Sequence, residues 1–476
     1  MRAKVCAAVF CCVMGVSASA QDKDALPQAP PPNPEVLKAP GGMAVERGVP
    51  GALPLSLDDA IARGLKKNLQ IELNEQNERT VHGEVLEVKN NLLPGLTAKV
   101  TTGTQQIDLA ALGFNGSQLA NAGFTGVFNP IVKVSTTSAQ MSLNQQLFNV
   151  PAYYFYRAAL KADAVANFTT LNARGGVALA VGTQYLKALA DASQIENARA
   201  LEKADEVAWQ QAVASHDAGA GTNLDVLRAR VQLQTQQQAL INAENTFAKD
   251  KIALNRLIGL PADQELTLTD TAPYAEYATM PLEDAKALAY QRRKDLLSLQ
   301  AQMEVATQTR KAVRAERLPS LSFDGYYGVL GETQGLYHGV FSAAAKVSIP
   351  IFQEGQLRGE SEVASAQVIG LRRQIESLRV SIEGQIRSAM LDVQSSAELV
   401  KVARSNVDLA TEELQQATDR FAAGVDDNLP VVQAQATLAA AQSQLVNTLY
   451  QYNQSKLQLA RNTGVVETQY KLYLGR

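Results

Sequence analysis

Thiols are confined to the extreme start of the chain. The three cysteines are Cys6, Cys11 and Cys12, and everything after Ala20 is free of them. Arg2 and Lys4 give this leader a positive start, Val5 to Val16 is a short apolar stretch, and Ala18-Ser19-Ala20 is a small-residue cleavage site, so residues 1–20 read as a secretory signal. The remainder has no cysteine for a disulfide framework, a metal site or thiol chemistry. Histidine is scarce. His82, His216 and His338 fall at unrelated places with no metal-ligand spacing. No G-x-x-x-x-G-K phosphate loop occurs, and the paired acids Asp58 and Asp59 suit a helix start better than acid–base work. These absences argue against an enzyme and against any cofactor or metal. The formal net charge of −3 is too small, and no segment is basic enough, to make nucleic acid a partner. No run of ~20 apolar residues follows the leader, so any crossing of a bilayer falls to strands.

What is present is duplication. Leu57 to Leu96 aligns without a gap on Leu282 to Leu321, with Leu57, Asp59, Ala60, Ala62, Val88, Leu93, Pro94 and Leu96 recurring as Leu282, Asp284, Ala285, Ala287, Val313, Leu318, Pro319 and Leu321. Ala218 to Gly259 matches Ala423 to Gly464 in the same way. Two copies of one long unit predict a pseudo-symmetric fold. The divisions are a proline-rich linker over 21–54, a first repeat over 55–265, a second over 280–465, and a C-terminal tail over 466–476. The linker's prolines exclude helix and sheet interior.

Each repeat has the same order of elements. Leu57 to Leu93 reads as helix, broken near Asn68, with Ser56 as N-cap. Pro94 and Pro319 end the two copies. Period-two patterning then predicts four strands, at Leu96–Gln106, Val132–Phe148, Leu321–Val329 and Val340–Ile349. In the second of these the apolar parity changes from Val132 and Val134 to Met141, Leu143 and Leu147, which predicts a bulge near Ser138. Each strand is about ten residues, enough to cross a bilayer if tilted. Four strands cannot close a lipid-facing barrel, so a membrane role requires several chains to share one. Proline-free Tyr154–His216 and Leu357–Ala422 predict helices of roughly 90–100 Å. A seven-residue repeat follows each: Val226, Leu233, Leu240, Phe247 and Leu254, then Val431, Leu438, Leu445, Tyr452 and Leu459.

Taken with "LSLDDAIARGLKKN" and "MPLEDAKALAYQRRKDL", the two "LP" stops, "LFN" and "PIFQEG" after the strands, and the turns "HDAGAGTNLDVLRARVQL" and "FAAGVDDNLPVVQAQATL", this order resembles the TolC family of outer-membrane efflux and secretion channels over about 57–465. The resemblance implies a mainly α fold with a small β part. Long periplasmic helical hairpins would join four strands given to a trimeric twelve-stranded transmembrane β-barrel. It implies a homotrimer in the outer membrane, surrounded by its lipid, working passively with a periplasmic adaptor and an inner-membrane pump. A periplasmic adaptor or a structural envelope protein is the alternative. An adaptor would have one hairpin flanked by small β-domains.

The turns carry the candidate residues. Gly219 and Gly424 end the long helices, where glycine accepts the left-handed conformation. By resemblance they also form the tip at which an adaptor docks. The family's closure uses links between hairpins, and the matching positions are Asp225, Phe421 and Asp426. Pro430 and Gln433 stand where the best-known members place pore-ringing aspartates, and Asp426 stands where a basic partner for Asp225 would be. Two readings stay open for Asp426 and Asp427: an acidic ring attracting cations, or a solvated turn at a helix start.

Overall fold

A computed structural model describes residues 51–111, 129–219, 221–270, 275–276, 280–423, 425 and 429–475. The first repeat contains α1 (Leu57–Lys67), α2 (Leu69–Asn90), β2 (Gly95–Asp108), β3 (Ile131–Phe148), α3 (Val150–Asp217) and α4 (Asn223–Ile258), and the short strands β1 (Leu53–Leu55) and β4 (Leu266–Leu268) stand at its two ends. The second contains α5 (Leu282–Arg292), α6 (Lys294–Ala315), β5 (Ser320–Glu332), β6 (Tyr337–Ser348), α7 (Glu354–Ala422) and α8 (Leu429–Asn462), followed by α9 (Val466–Leu474). The short helices repeat to the residue, α1 on α5 and α2 on α6. The break after α1 falls at Asn68, whose side chain accepts from the Gln70 amide and so starts a new helix.

β2, β3, β5 and β6 form one antiparallel sheet in the order β2-β3-β5-β6, leaving β2 and β6 as its edges. The register puts Leu96, Ala98 and Val100 opposite Leu143, Met141 and Ala139, and these opposite Gly325, Tyr327 and Val329. Phe341, Ala343 and Ala345 complete the same face. The other face holds Thr97, Lys99, Ser142, Gln140, Asp324, Tyr326, Ser342 and Lys346. Apolar on one side and polar on the other is the pattern of a sheet between lipid and water.

The expected bulge near Ser138 is absent. β2 and β3 pair without interruption from Gly95↔Asn144 to Asp108↔Ile131, and the irregularity lies instead between Gln146 and Phe148, against β5. The parity change has another cause. The β3–β5 register ends at Thr136↔Glu332, with a last bond from the Thr333 amide to the Ser135 carbonyl, so residues 131–134 extend beyond β5 and pair with β2. At this end of β3 the faces exchange polarity: Lys133 and Ser135 continue the apolar face, Val132 and Val134 the polar one.

α3 and α7 run 68 and 69 residues, about 100 Å each. Near the sheet, α2 lies against α3, α3 against α6 and α6 against α7. Toward the far end the order is α4, α3, α8, α7. The seven-residue stripes face inward, with Leu233, Leu254, Val431, Leu438, Tyr452 and Leu459 buried. The principal core gathers α1, the middle of α3, and the ends of α4 and α8. β1 joins it by pairing in parallel with β4, and the segment read as a tail supplies α9, which buries Tyr470, Tyr473 and Leu474 there.

Candidate functional site at the hairpin tips

At the first tip the chain reverses within a few residues. Gly219 has φ of 75°, a conformation that costs a side chain with a Cβ but not glycine. The amides of Gly219 and Gly221 donate to His216 and Ser215 carbonyls at 2.8 and 2.9 Å, closing the end of α3. Thr222 then caps α4. Its hydroxyl accepts from the Asp225 amide at 3.3 Å, while Asp225 Oδ2 accepts from the Thr222 amide at 3.1 Å and from its hydroxyl at 2.6 Å. This reciprocal cap satisfies donors that a helix start leaves open. Asp225 Oδ1 also lies 3.8 Å from Arg228 Nη1. Asp225 is therefore engaged within its own turn.

The second tip begins in the same way. The Ala423 amide donates to the Asp419 carbonyl at 3.0 Å and the Val425 amide to Arg420 at 3.1 Å. Phe421 is half-buried in the last turn of α7. Gly424, Asp426 and Asp427 lie outside the described residues. Geometry thus brings Gly219 and Asp225 together at one turn and puts Phe421 at the other.

Behind the tips the hairpin interior holds ionisable groups that the sequence reading passed over. Asp205 of α3 is 1% exposed. Further along, Lys187 Nζ lies 3.1 Å from both Asp250 oxygens, and Gln184 Nε2 donates to Asp250 Oδ1 at 3.1 Å. Burial raises the Asp191 carboxyl, and the neighbouring Asp250 carboxylate raises it further. Burial also acts to raise Asp250, but hydrogen bonds from Asp191, Lys187 and Gln184 outweigh it and hold that carboxyl low. The signal was legible in principle: Leu201, Asp205 and Ala212 continue one buried stripe, so an acid stands where an apolar residue belongs. Gln194 Nε2 donates to the Ser443 carbonyl at 3.1 Å, tying the first hairpin to the second.

Among the described residues no group of three His, Cys, Asp or Glu could hold a metal ion, and no helix is long and apolar enough to cross a membrane. The arrangement has the parts of a conduit wall rather than of a reaction centre.

Comparison with known proteins agrees. The family model described as "Outer membrane efflux protein" matches residues 61–260 and 287–465. Alkaline protease secretion protein AprF of Pseudomonas aeruginosa is 25% identical over 340 residues, 69% of each chain. Toluene efflux pump outer membrane protein TtgF of Pseudomonas putida is 27% identical over 325 residues, 65% of each chain. The Campylobacter jejuni CmeC outer membrane channel superposes with a TM-score of 0.75 at 14% identity, covering 90% of this chain and 91% of that one.

Proposed function

The chain belongs to the outer membrane efflux protein family, and from that premise we propose that three copies close into one continuous passage across the outer membrane and the periplasm. It is an outer-membrane efflux or secretion channel with a periplasmic helical extension, and not an enzyme. The observation that carries the trimer is that both layers end in unpartnered edges. β2 and β6 have open ladder groups, which hydrocarbon does not tolerate. Toward the tips the outer members of the helical layer are α4 and α7. Each has a second apolar stripe opposite its buried one: Val231, Ile241 and Ile252 on α4, and Ile369, Val380, Leu391 and Val402 on α7, all exposed in the single chain. Pairing β6 of one copy with β2 of the next, and α7 with α4 toward the tips and with α2 nearer the sheet, covers all of these. Two copies would give eight strands, whose interior side chains fill. Three give twelve and leave room for water.

Channels of this family work with an adaptor and an inner-membrane pump. The tips at Gly219 and Gly424 are the proposed docking turns, with Asp225, Phe421, Asp426 and Asp427 as the closing residues. The two repeats, 55–265 and 280–465, would then act as two hairpin units per copy. By name, AprF serves secretion of a protease and TtgF efflux of toluene. A passive conduit without a shaped binding site accommodates both kinds of cargo.

The test is purified protein in a planar bilayer. Discrete conductance, from a species of trimeric mass in detergent, is expected. A non-associating subunit without conductance would overturn the reading. Asp426→Ala with Asp427→Ala should lower cation selectivity, and unchanged selectivity removes both from the gate.

A further inference from the structure

Asp205 lies on α3 some 12 residues before the helix ends at Asp217. Neither of its carboxylate oxygens has a hydrogen-bond partner among the described residues, and both are buried. One turn further on, the indole Nε1 of Trp209 is buried and unbonded as well. A buried acid ordinarily has an arginine, a lysine or a cluster of amides around it. Among the described residues no arginine or lysine pairs with it, and a single amide side chain approaches. From α4, Gln232 is the polar side chain that reaches it. Between Val226 and Ala243 the only charged residues are Arg228, which lies against Asp225, and Arg230, which is exposed. From α8, no charged side chain occurs between Leu429 and Ser455. On α3 itself Lys203 and Glu206 are exposed and Glu202 is half-buried.

An ionised group in that position opposes the closed arrangement of α3 against its neighbours. We propose that Asp205 is a gating residue of the passage: its charged form loosens the distal part of the first hairpin and its protonated form holds that part shut. The proposal rests on the reading of the tips as the closing end of the conduit.

Burial raises the Asp205 carboxyl to about 6, with Gln232 acting weakly in the opposite direction. The closed hairpin therefore binds this proton more tightly than an opened one. Its relative stability falls as pH rises from the ordinary carboxylate range to about 6, and stays at the lower level above that. The opening equilibrium shifts by on the order of a hundredfold across that window.

Trp209 is the only tryptophan in the chain, so its emission reports on this place alone. In the full-length protein in detergent, the emission maximum should move to longer wavelength between about pH 4 and about pH 6.5. Asp205→Asn should keep it at short wavelength at both. Gln232→Leu, which removes the one group lowering the carboxyl, should move the midpoint upward. A wild-type signal that ignores pH, or an equal shift in Asp205→Asn, would sink the proposal, and so would an unmoved midpoint in Gln232→Leu. Bilayer conductance measured at both pH values separates the two ideas. Absence of any pore removes the channel reading, while the fluorescence result still decides the role of Asp205.

Discussion

Arg293 stands in the second repeat where Asn68 stands in the first, and each reaches from a helix break to the carbonyl near the end of the corresponding hairpin helix. Asn68 Nδ2 donates to Leu257 at 3.3 Å, and Arg293 Nη1 to Asn462 at 3.4 Å. Two different side chains thus make one pseudo-symmetric contact. The arginine does more. Its Nε and Nη2 form a bidentate pair with Asp295 at 3.1 and 2.6 Å, and Nη1 donates to Gln385 at 2.7 Å. Burial acts to raise the Asp295 carboxyl, but Arg293, with the Leu296 amide and Arg461, outweighs it and holds it low.

Arg293→Ala is expected to lower stability at pH 7 by about 2–4 kcal/mol, since it strands a largely buried carboxylate. A depressed native pKa contributes stability that is present above the unfolded value and lost as pH falls through the native one. The gap between wild type and Arg293→Ala should therefore narrow in strongly acid solution. Thermal melts of the detergent-solubilised protein at pH 7 and in acid check this. A gap that does not change with pH would mean that packing, not the ion pair, is responsible. Arg293→Lys should recover little, because an ammonium does not reproduce the fork.

Lys456 gives a prediction of opposite sign. It is fully buried, donates to the Ala275 carbonyl at 3.1 Å and lies 4.3 Å from the centre of the Tyr452 ring. Burial lowers its amine to about 8. The folded chain thus binds this proton less well than the unfolded chain. Its burial is costly below pH 8, and the cost disappears as pH rises from about 8 toward 10.5. Lys456→Met should raise the melting temperature at pH 7 and give less or no gain at pH 10. Melting curves at the two pH values decide it, and a gain equal at both would exclude the charge as its source.

The sheet predicts a contrast between neighbours. Phe341 belongs to the apolar face and Ser342 to the polar one. Phe341→Arg should cost about 2–4 kcal/mol and reduce the yield of inserted trimer. Ser342→Arg should insert normally and shift ion selectivity toward anions. Comparable loss of insertion for both would contradict the assignment of the two faces.

Periodicity made most of the architecture readable. Inward-facing Leu233 and Leu254, like Leu438 and Leu459, stand 21 residues apart, three steps of the seven-residue repeat, and alternating Phe341, Ala343 and Ala345 mark a strand without reference to anything else. What escaped depended on distance in the chain. The change of parity in β3 looks like an inserted residue, but it arises because β3 outlasts β5, and a strand's own residues do not record how far its partner extends. α9 is short, and its Tyr470 hydroxyl finds Asp58 from the far end of the sequence. Asp205 shows no sign of its isolation until α4 and α8 are seen to bring it only uncharged side chains. The tip glycine Gly219 was plain because a left-handed residue after a long helix is a local requirement.

The two flanks of the chain differ, β2 and α4 on one side and β6 and α7 on the other. Such flanks join head to tail, so a pair related by a two-fold axis would leave an open rim at each end. Only the curvature of each copy determines whether successive additions return to the first. A substitution that flattened the angle at α3 and α8, where the halves of one copy meet, would leave every chain correctly folded and still produce open arcs or fibres in place of rings.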